Sequence, residues 1–359
     1  MPKGKGKQRK RIRKRRWDED RDVDAVTREP RRIRGRESGI GAPVTIEKRF
    51  EDCFQDVEAN GLVISPYGVL AFVLIDGEEQ LCRVAESLTD GRTSVLAPGD
   101  EVRVERDGDE YLVTAVRPRH SKLSRPDTLI KEREQVFAAN IDLLVVVASA
   151  VRPAFKTGVV DRYLIAAEMG DVSVLLCLNK IDLMEQEPPP VSVYEELGLP
   201  VVRTSCETGE GIHDLRRHLV GKTSVFSGQS GVGKSSLLNA LSPDLDIAIQ
   251  NVSRITDKGR HTTSSSRLYI LDDDIRIIDT PGIRQLGLWG VQAVELDFYF
   301  PELAERAPLC RFRDCVHIHE PGCAIREAVE HGEIPRLRYQ SYRWIRESLA
   351  EEDRHGRPE

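Results

Sequence analysis

Between residues 58 and 118, apolar and β-branched residues come in short runs broken by polar positions: Gly61–Ser65, Val69–Ile75, Gln80–Val84, Glu101–Arg106 and Tyr111–Val116. Short β-rich runs of this kind give one face to a core and one to water, which is the strand pattern. The breaks hold Asp76-Gly77, Asp90-Gly91, Pro98-Gly99 and Asp107-Gly108, dipeptides that tolerate the backbone of tight turns. Five such strands in a short stretch predict a small closed β module. An OB-type barrel is the expectation, and an SH3-like barrel satisfies the same spacing.

From about 125 to 290 the texture changes. Leu143–Ala148, Val172–Leu178, Val201–Thr204, Thr223–Ser227 and Ile275–Ile278 are near-continuous apolar or β-branched runs, as in parallel strands covered on both faces. Val159, Tyr163, Leu164 and Ala167 between them share a helical face, with Gly170 placed to stop the helix. Ile212, Leu215 and Leu219 form a second stripe, ended by Gly221. Strands alternating with amphipathic helices predict a doubly wound α/β domain. Beyond about 295, Ile334, Leu337, Tyr342, Ile345 and Leu349 are spaced for one face of a further helix.

Charge and cysteine content add two regions. Ten of the first sixteen residues are Lys or Arg, although the whole chain carries −6. Residues 1–40 hold few large apolar groups and predict a disordered tail. Its basic arm suits a polyanion, the alternative being a solvated tail without a partner. No apolar stretch follows the arm, so it does not read as a secretory signal, and no run is long enough to span a bilayer; the expected compartment is the cytoplasm. Cys53, Cys82, Cys177 and Cys206 are scattered and read as core or free thiols. Cys310, Cys315 and Cys323 cluster around His317.

The strongest chemical signal is Gly228-Gln229-Ser230-Gly231-Val232-Gly233-Lys234-Ser235-Ser236. It matches the phosphate-binding loop and lies between a predicted strand and a predicted helix, where that loop belongs. Glycines let backbone N–H groups turn toward phosphates, and the helix N-terminus adds positive potential. Lys234 would neutralise β- and γ-phosphate charge, and the Ser235 hydroxyl is a natural Mg²⁺ ligand. Asp279-Thr280-Pro281-Gly282 follows a buried run. Asp279 would hold the metal through water and Gly282 would offer its N–H to the γ-phosphate. The polar segment Gly259–Thr263 between them reads as a switch, with Thr262 or Thr263 as a second Mg²⁺ ligand.

Asn179-Lys180-Ile181-Asp182 ends another predicted strand. A carboxylate at Asp182 accepts from guanine N1–H and the exocyclic amine, whereas adenine leaves that charge unpaired. Asn179 suits the other edge of the base and Lys180 its ring face. Ser205-Cys206-Glu207 resembles the loop that meets the guanine carbonyl through backbone N–H groups. These guanine motifs precede the phosphate loop, the reverse of the usual order. Circular permutation produces such an order while keeping strand neighbours. It also places the segment after Gly282 directly before the C-terminal region, so loss of the γ-phosphate is expected to move that region.

Cys310-x4-Cys315-x-His317-x5-Cys323 supplies three thiolates and one imidazole, a closed tetrahedral set suited to one structural Zn²⁺. His319 competes with His317 for the fourth position. The small size of this region predicts that the metal carries its fold.

With these motifs in this order, the chain resembles the ribosome small-subunit-dependent GTPase family (RsgA/YjeQ) from about residue 58 to 350. The resemblance implies a multidomain chain: an OB-type β-barrel (41–120), a circularly permuted α/β P-loop GTPase domain (121–294) and a C-terminal zinc-binding helical domain (295–359). It implies a late-acting factor in small-subunit maturation, expected as a monomer: the partners would be the small (30S) ribosomal subunit and its rRNA, with GTP hydrolysed to GDP under stimulation by the subunit. Ile283 occupies the position after Asp279–Gly282 where many GTPases orient water with a polar group, so slow intrinsic turnover is expected. His261 is the candidate catalytic residue beside Lys234, the alternative being an exposed loop histidine. Rival readings are a permuted GTPase of the large subunit and an RNA-binding scaffold that uses GTP structurally.

Overall fold

The computed structural model describes residues 53–89, 93–127, 133–185, 189–242, 266–271, 274–280 and 287–355. The basic arm lies outside them. The first unit contains β1 (Gly61–Tyr67), β2 (Leu70–Ile75), β3 (Glu78–Val84), β4 (Glu101–Asp107) and β5 (Glu110–Val116), closed in the order β1-β2-β3-β5-β4. β3 pairs parallel with β5, and β1 closes antiparallel on β4. That connectivity is the OB arrangement and decides against the SH3-like alternative. Val63, Val73, Cys82, Val102, Val104 and Val113 fill the barrel. At the β2–β3 turn, Asp76 and Gly77 both take positive φ, 50° and 84°, as a two-residue turn matched to strand twist requires.

A hairpin of β6 (Lys122–Pro126) and β7 (Glu134–Ala139) leads to the central sheet. Its strands are β8 (Leu143–Ser149), β9 (Ser173–Asn179), β10 (Val201–Thr204), β11 (Thr223–Ser227), β12 (Arg267–Ile270) and β13 (Arg276–Asp279). The order is β10-β9-β8-β11-β13-β12, parallel throughout except for β12. Every residue of β8 is buried, which explains its unbroken apolar run. The helices are α1 (Thr157–Gly170), α2 (Ser192–Glu196), α3 (Ile212–Leu219) and α4 (Lys234–Leu241). Leu215, Leu219, Leu237, Leu238 and Leu241 cover the sheet face presented by Val145, Val147, Leu175 and Cys177; α1 covers the opposite face. Helix α1 ends one residue later than predicted. Asp171 is the left-handed C-cap, with φ 57°. Gly170 is a glycine for another reason: a Cβ there would strike the carbonyl of Lys122.

The barrel is fastened to the sheet by polar contacts. Asn140 Nδ2 donates to the Gly99 carbonyl at 2.8 Å, Ser65 Oγ to the Ser266 carbonyl at 3.1 Å, and Arg267 pairs with Glu79 at 2.5 Å.

The C-terminal region contains α5 (Pro301–Ala304), α6 (Ala324–Glu330) and α7 (Arg336–His355). Leu296, Phe300, Ile325, Ile334, Tyr342, Ile345 and Leu349 belong to the same apolar cluster as Leu144, Val146, Val160 and Ile165 beneath the sheet. The size-based expectation of a metal-carried fold therefore needs correction. These helices extend their core by packing on α1, so apolar burial also holds them.

Candidate nucleotide site and metal centre

The loop 228–233 joins β11 to α4. Gly228, Gly231 and Gly233 take φ of 148°, 83° and 99°, which L-residues with side chains adopt only under strain. Val232 is buried, while Ser230, Gly231, Ser235 and Ser236 are exposed. Lys234 Nζ donates to the carbonyls of Gly228 at 2.8 Å and Gln229 at 3.0 Å. Burial pulls the Lys234 ammonium below its ordinary value, opposed by the charge of Asp279. Burial pushes the Asp279 carboxyl up, opposed by the Thr280 N–H and by Lys234. The two groups therefore share one partly desolvated site at the ends of adjacent strands β11 and β13.

The Asn179–Asp182 segment meets this loop directly. Asn179 Nδ2 donates to the Val232 carbonyl at 3.0 Å, and its Oδ1 accepts from Thr204 Oγ1 at 3.1 Å and from Cys206 Sγ at 3.9 Å. Lys180, in left-handed geometry with φ 65°, donates through Nζ to the carbonyls of Gly231 at 2.5 Å and Arg152 at 3.0 Å. A Cβ at Gly233 would collide with the Asn179 amide. Asn179 is 2% exposed, so its amide ties β9, β10 and the phosphate loop together, a structural task that its motif position did not reveal.

Ile181 begins a single 3-10 turn that carries Asp182 at the surface. Ser205 is fully buried, and its hydroxyl accepts the Thr208 N–H at 3.1 Å, shaping the following loop. Burial raises the Cys206 thiol, Asn179 opposes this and Asp182 adds to it, which sets Asp182 beside the Ser205–Glu207 loop. Asn179, Lys180, Asp182, Cys206 and Lys234 are thus gathered around one loop although 55 residues separate the first and last. His261, Thr262, Thr263, Gly282 and Ile283 lie outside the described residues.

In the C-terminal region, the ligand atoms of Cys310, Cys315, His317 and Cys323 all lie within 4.8 Å of one another. His317 Nδ1 is 3.5 Å from both Cys310 Sγ and Cys323 Sγ, and those sulfurs are 3.9 Å apart. A tetrahedral zinc ion with ordinary bond lengths requires S···S of about 3.8 Å and S···N of about 3.6 Å. The donor set fits the ion, and His317 rather than His319 completes it. His317 Nε2 faces Asp297 Oδ2 at 3.8 Å, a carboxylate placed to orient the ring. Tyr339 and Tyr342 of α7 donate to the carbonyls of His317 at 2.6 Å and Val316 at 3.0 Å. The Glu320 carboxylate accepts the N–H groups of Val316, Ile318 and His319. Burial works to raise its pKa, but these donors outweigh it and hold it at about 2. Glu320 is a support of the knuckle that the ligand spacing did not reveal.

Residues 116–289 match the family model described as RsgA GTPase. The chain is 39% identical over 321 residues to the small ribosomal subunit biogenesis GTPase RsgA of Shewanella oneidensis, covering 86% of this chain and 88% of that protein. The chain belongs to the RsgA GTPase family. The RsgA protein of Gemmatimonas aurantiaca is 42% identical over 259 residues, covering 71% of this chain and 84% of its own length. Among solved structures, YjeQ from Thermotoga maritima superposes with a TM-score of 0.63 at 30% identity, covering 84% of this chain and 99% of that one. YloQ, described as a circularly permuted GTPase, gives 0.60 at 30% identity over 83% and 96%. As an RsgA family member the chain is a GTPase. Its permuted order is visible in the sheet: β8, β9 and β10 precede β11 in sequence, yet β11 sits beside β8.

Proposed function

We propose that this chain hydrolyses GTP to GDP and phosphate on the small ribosomal subunit during its late maturation, in the cytoplasm and as a monomer. The observation that carries the nucleotide reading is the pair of bonds from Asn179 and Lys180 to the carbonyls of Val232 and Gly231. They hold the guanine motif against the phosphate loop, which supports the reading that a single nucleotide touches both.

In this reading the N–H groups of residues 229–236 surround the phosphates at the start of α4. Lys234 leaves the carbonyls of Gly228 and Gln229 for the β- and γ-phosphates, whose negative charge opposes the downward pull of burial on its ammonium. Asp182 receives the guanine N1–H and amine, Lys180 lies along the ring, and the Ser205–Cys206 backbone meets its carbonyl. Ser235 and one of Thr262 and Thr263 would hold Mg²⁺, with Asp279 through water and Gly282 against the γ-phosphate. The metal supplies charge neutralisation in the transition state. His261 orients water in place of Ile283. The Cys₃His set holds one zinc ion, which pins the knuckle on α7 without entering the reaction.

The test is GTP turnover with purified small subunits, large subunits or neither. Stimulation by small subunits alone is expected. Stimulation by large subunits favours the large-subunit reading, and no turnover in any condition favours a scaffold. His261→Ala should keep GTP affinity while losing most of the stimulated rate.

A further inference from the structure

The segment 150–156 joins β8 to α1 and contains none of the nucleotide motifs. It nevertheless borders the phosphate loop. Lys180 Nζ donates at once to the carbonyls of Arg152 at 3.0 Å and Gly231 at 2.5 Å, so one ammonium holds the two backbones side by side. Pro153 packs on the same glycine: a Cβ at Gly231 would stand 3.9 Å from Pro153 Cδ. Further along, Ala154, Phe155 and Lys156 share the walls of a cavity of about 20 Å³ with Gln229 and Val232, room for about one water molecule.

Two cationic side chains at this place already hold backbone: Lys234 the carbonyls of Gly228 and Gln229, and Lys180 those of Arg152 and Gly231. Arg152 differs from both. Its side chain is exposed, and among the described residues its guanidinium makes no hydrogen bond, ion pair or ring contact. Lys180 binds the Arg152 carbonyl, so the backbone is fixed at the loop while the head group stays available. Ser230 and Gly231 are exposed on the loop it borders. A guanidinium offers five donors in a planar fork that matches phosphate oxygens. A nucleotide brings several negative charges to this loop, more than Lys234 alone balances. We propose that Arg152 is a further phosphate-contacting residue, reaching the nucleotide from the Gly231 side. The inference rests on reading residues 228–236 as the phosphate site.

The test compares guanosine with GDP on the full-length chain, by competition against a fluorescent GDP analogue with Mg²⁺ present. Arg152→Gln should weaken GDP roughly three- to tenfold and leave guanosine, which has no phosphate, unchanged. It should also flatten the dependence of GDP affinity on ionic strength. Arg152→Lys keeps the charge without the fork and should recover part of the loss. Lys156→Gln removes the same charge four residues along the segment and should change GDP affinity little. Guanosine and GDP weakened by the same factor would show that Arg152 shapes the loop without touching phosphate. Equal losses from R152Q and K156Q would reduce its part to the general field of the surface, and an R152Q chain that binds GDP like the parent would give it no part. Each of these three results overturns the contact and leaves the nucleotide site in place. A parent chain that binds no GDP would instead overturn the site reading, and the contact with it.

Discussion

Arg338 of α7 and Asp161 of α1, 177 residues apart in sequence, form an ion pair that is almost wholly buried, at 2% and 1% exposure. Arg338 also binds Glu302 of α5 at 2.6 Å and lies over the Phe300 ring at 4.5 Å. One guanidinium thus joins three helices. Burial works to lower the Arg338 pKa, but Asp161 and Glu302 outweigh it and keep the group charged.

Arg338→Met should therefore be severe. It leaves Asp161 as a buried charge without its cation, a loss of about 3–5 kcal/mol in comparable cases. Thermal unfolding should show a large fall in Tm, much of it recovered in R338M/D161L, where two apolar groups replace the pair. The deficit should depend on pH. Burial pushes the Asp161 carboxyl above its ordinary value, and Arg338 opposes that push; without Arg338 the value rises further. A carboxyl whose folded value is raised contributes stability below its unfolded value and loses it as pH rises through the folded one. The gap between R338M and the parent should therefore be larger at pH 8 than at pH 5.5. A gap that does not change across this range would mean that Asp161 carries the same protonation in the variant as in the parent throughout it, and would sink the proposed shift.

The base contact predicts a change of specificity. Asp182 is the exposed middle residue of its 3-10 turn, so Asp182→Asn should leave Tm unchanged. An amide can donate to a carbonyl at purine C2 but cannot accept from both N1–H and the C2 amine. GTP affinity should fall by roughly 100-fold or more, as for other sites that lose a buried polar match, and xanthosine triphosphate should bind in its place. Competition against a fluorescent GDP analogue reads both. Equal loss of the two nucleotides would place the base elsewhere.

Much of this site was legible because its chemistry is local in sequence. The phosphate loop needs glycines at fixed offsets and a lysine at a helix start, and residues 228–236 carry them in nine consecutive positions. The strands of the sheet were legible because β8 and β9 are buried on both faces and cannot tolerate polar interruptions. The contacts that join these pieces were not legible. Arg338 sits among Arg336, Arg343 and Arg346 around the apolar stripe of that helix, and nothing local distinguishes the one that is buried. Gly170 reads as a helix stop because a clash with Lys122, 48 residues earlier, leaves no local trace.

The metal site makes the last prediction, which separates two accounts of the C-terminal fold. If zinc alone organised residues 295–355, chelation would unfold the whole region. The apolar cluster instead runs without a break from Val146 and Val160 to Phe300, Ile325 and Ile345, and the Arg338 pair lies within that junction. A chelator, or Cys323→Ser, should therefore release about one zinc per chain and expose amides of the knuckle between Cys310 and Cys323. Helix α7 should keep most of its protection, because its contacts with α1 do not involve the metal. Hydrogen exchange on the same sample, with zinc released and measured colorimetrically, resolves the two. Protection lost equally from the knuckle and from Tyr342–Leu349 would show that the ion, rather than the shared core, holds α7 in place.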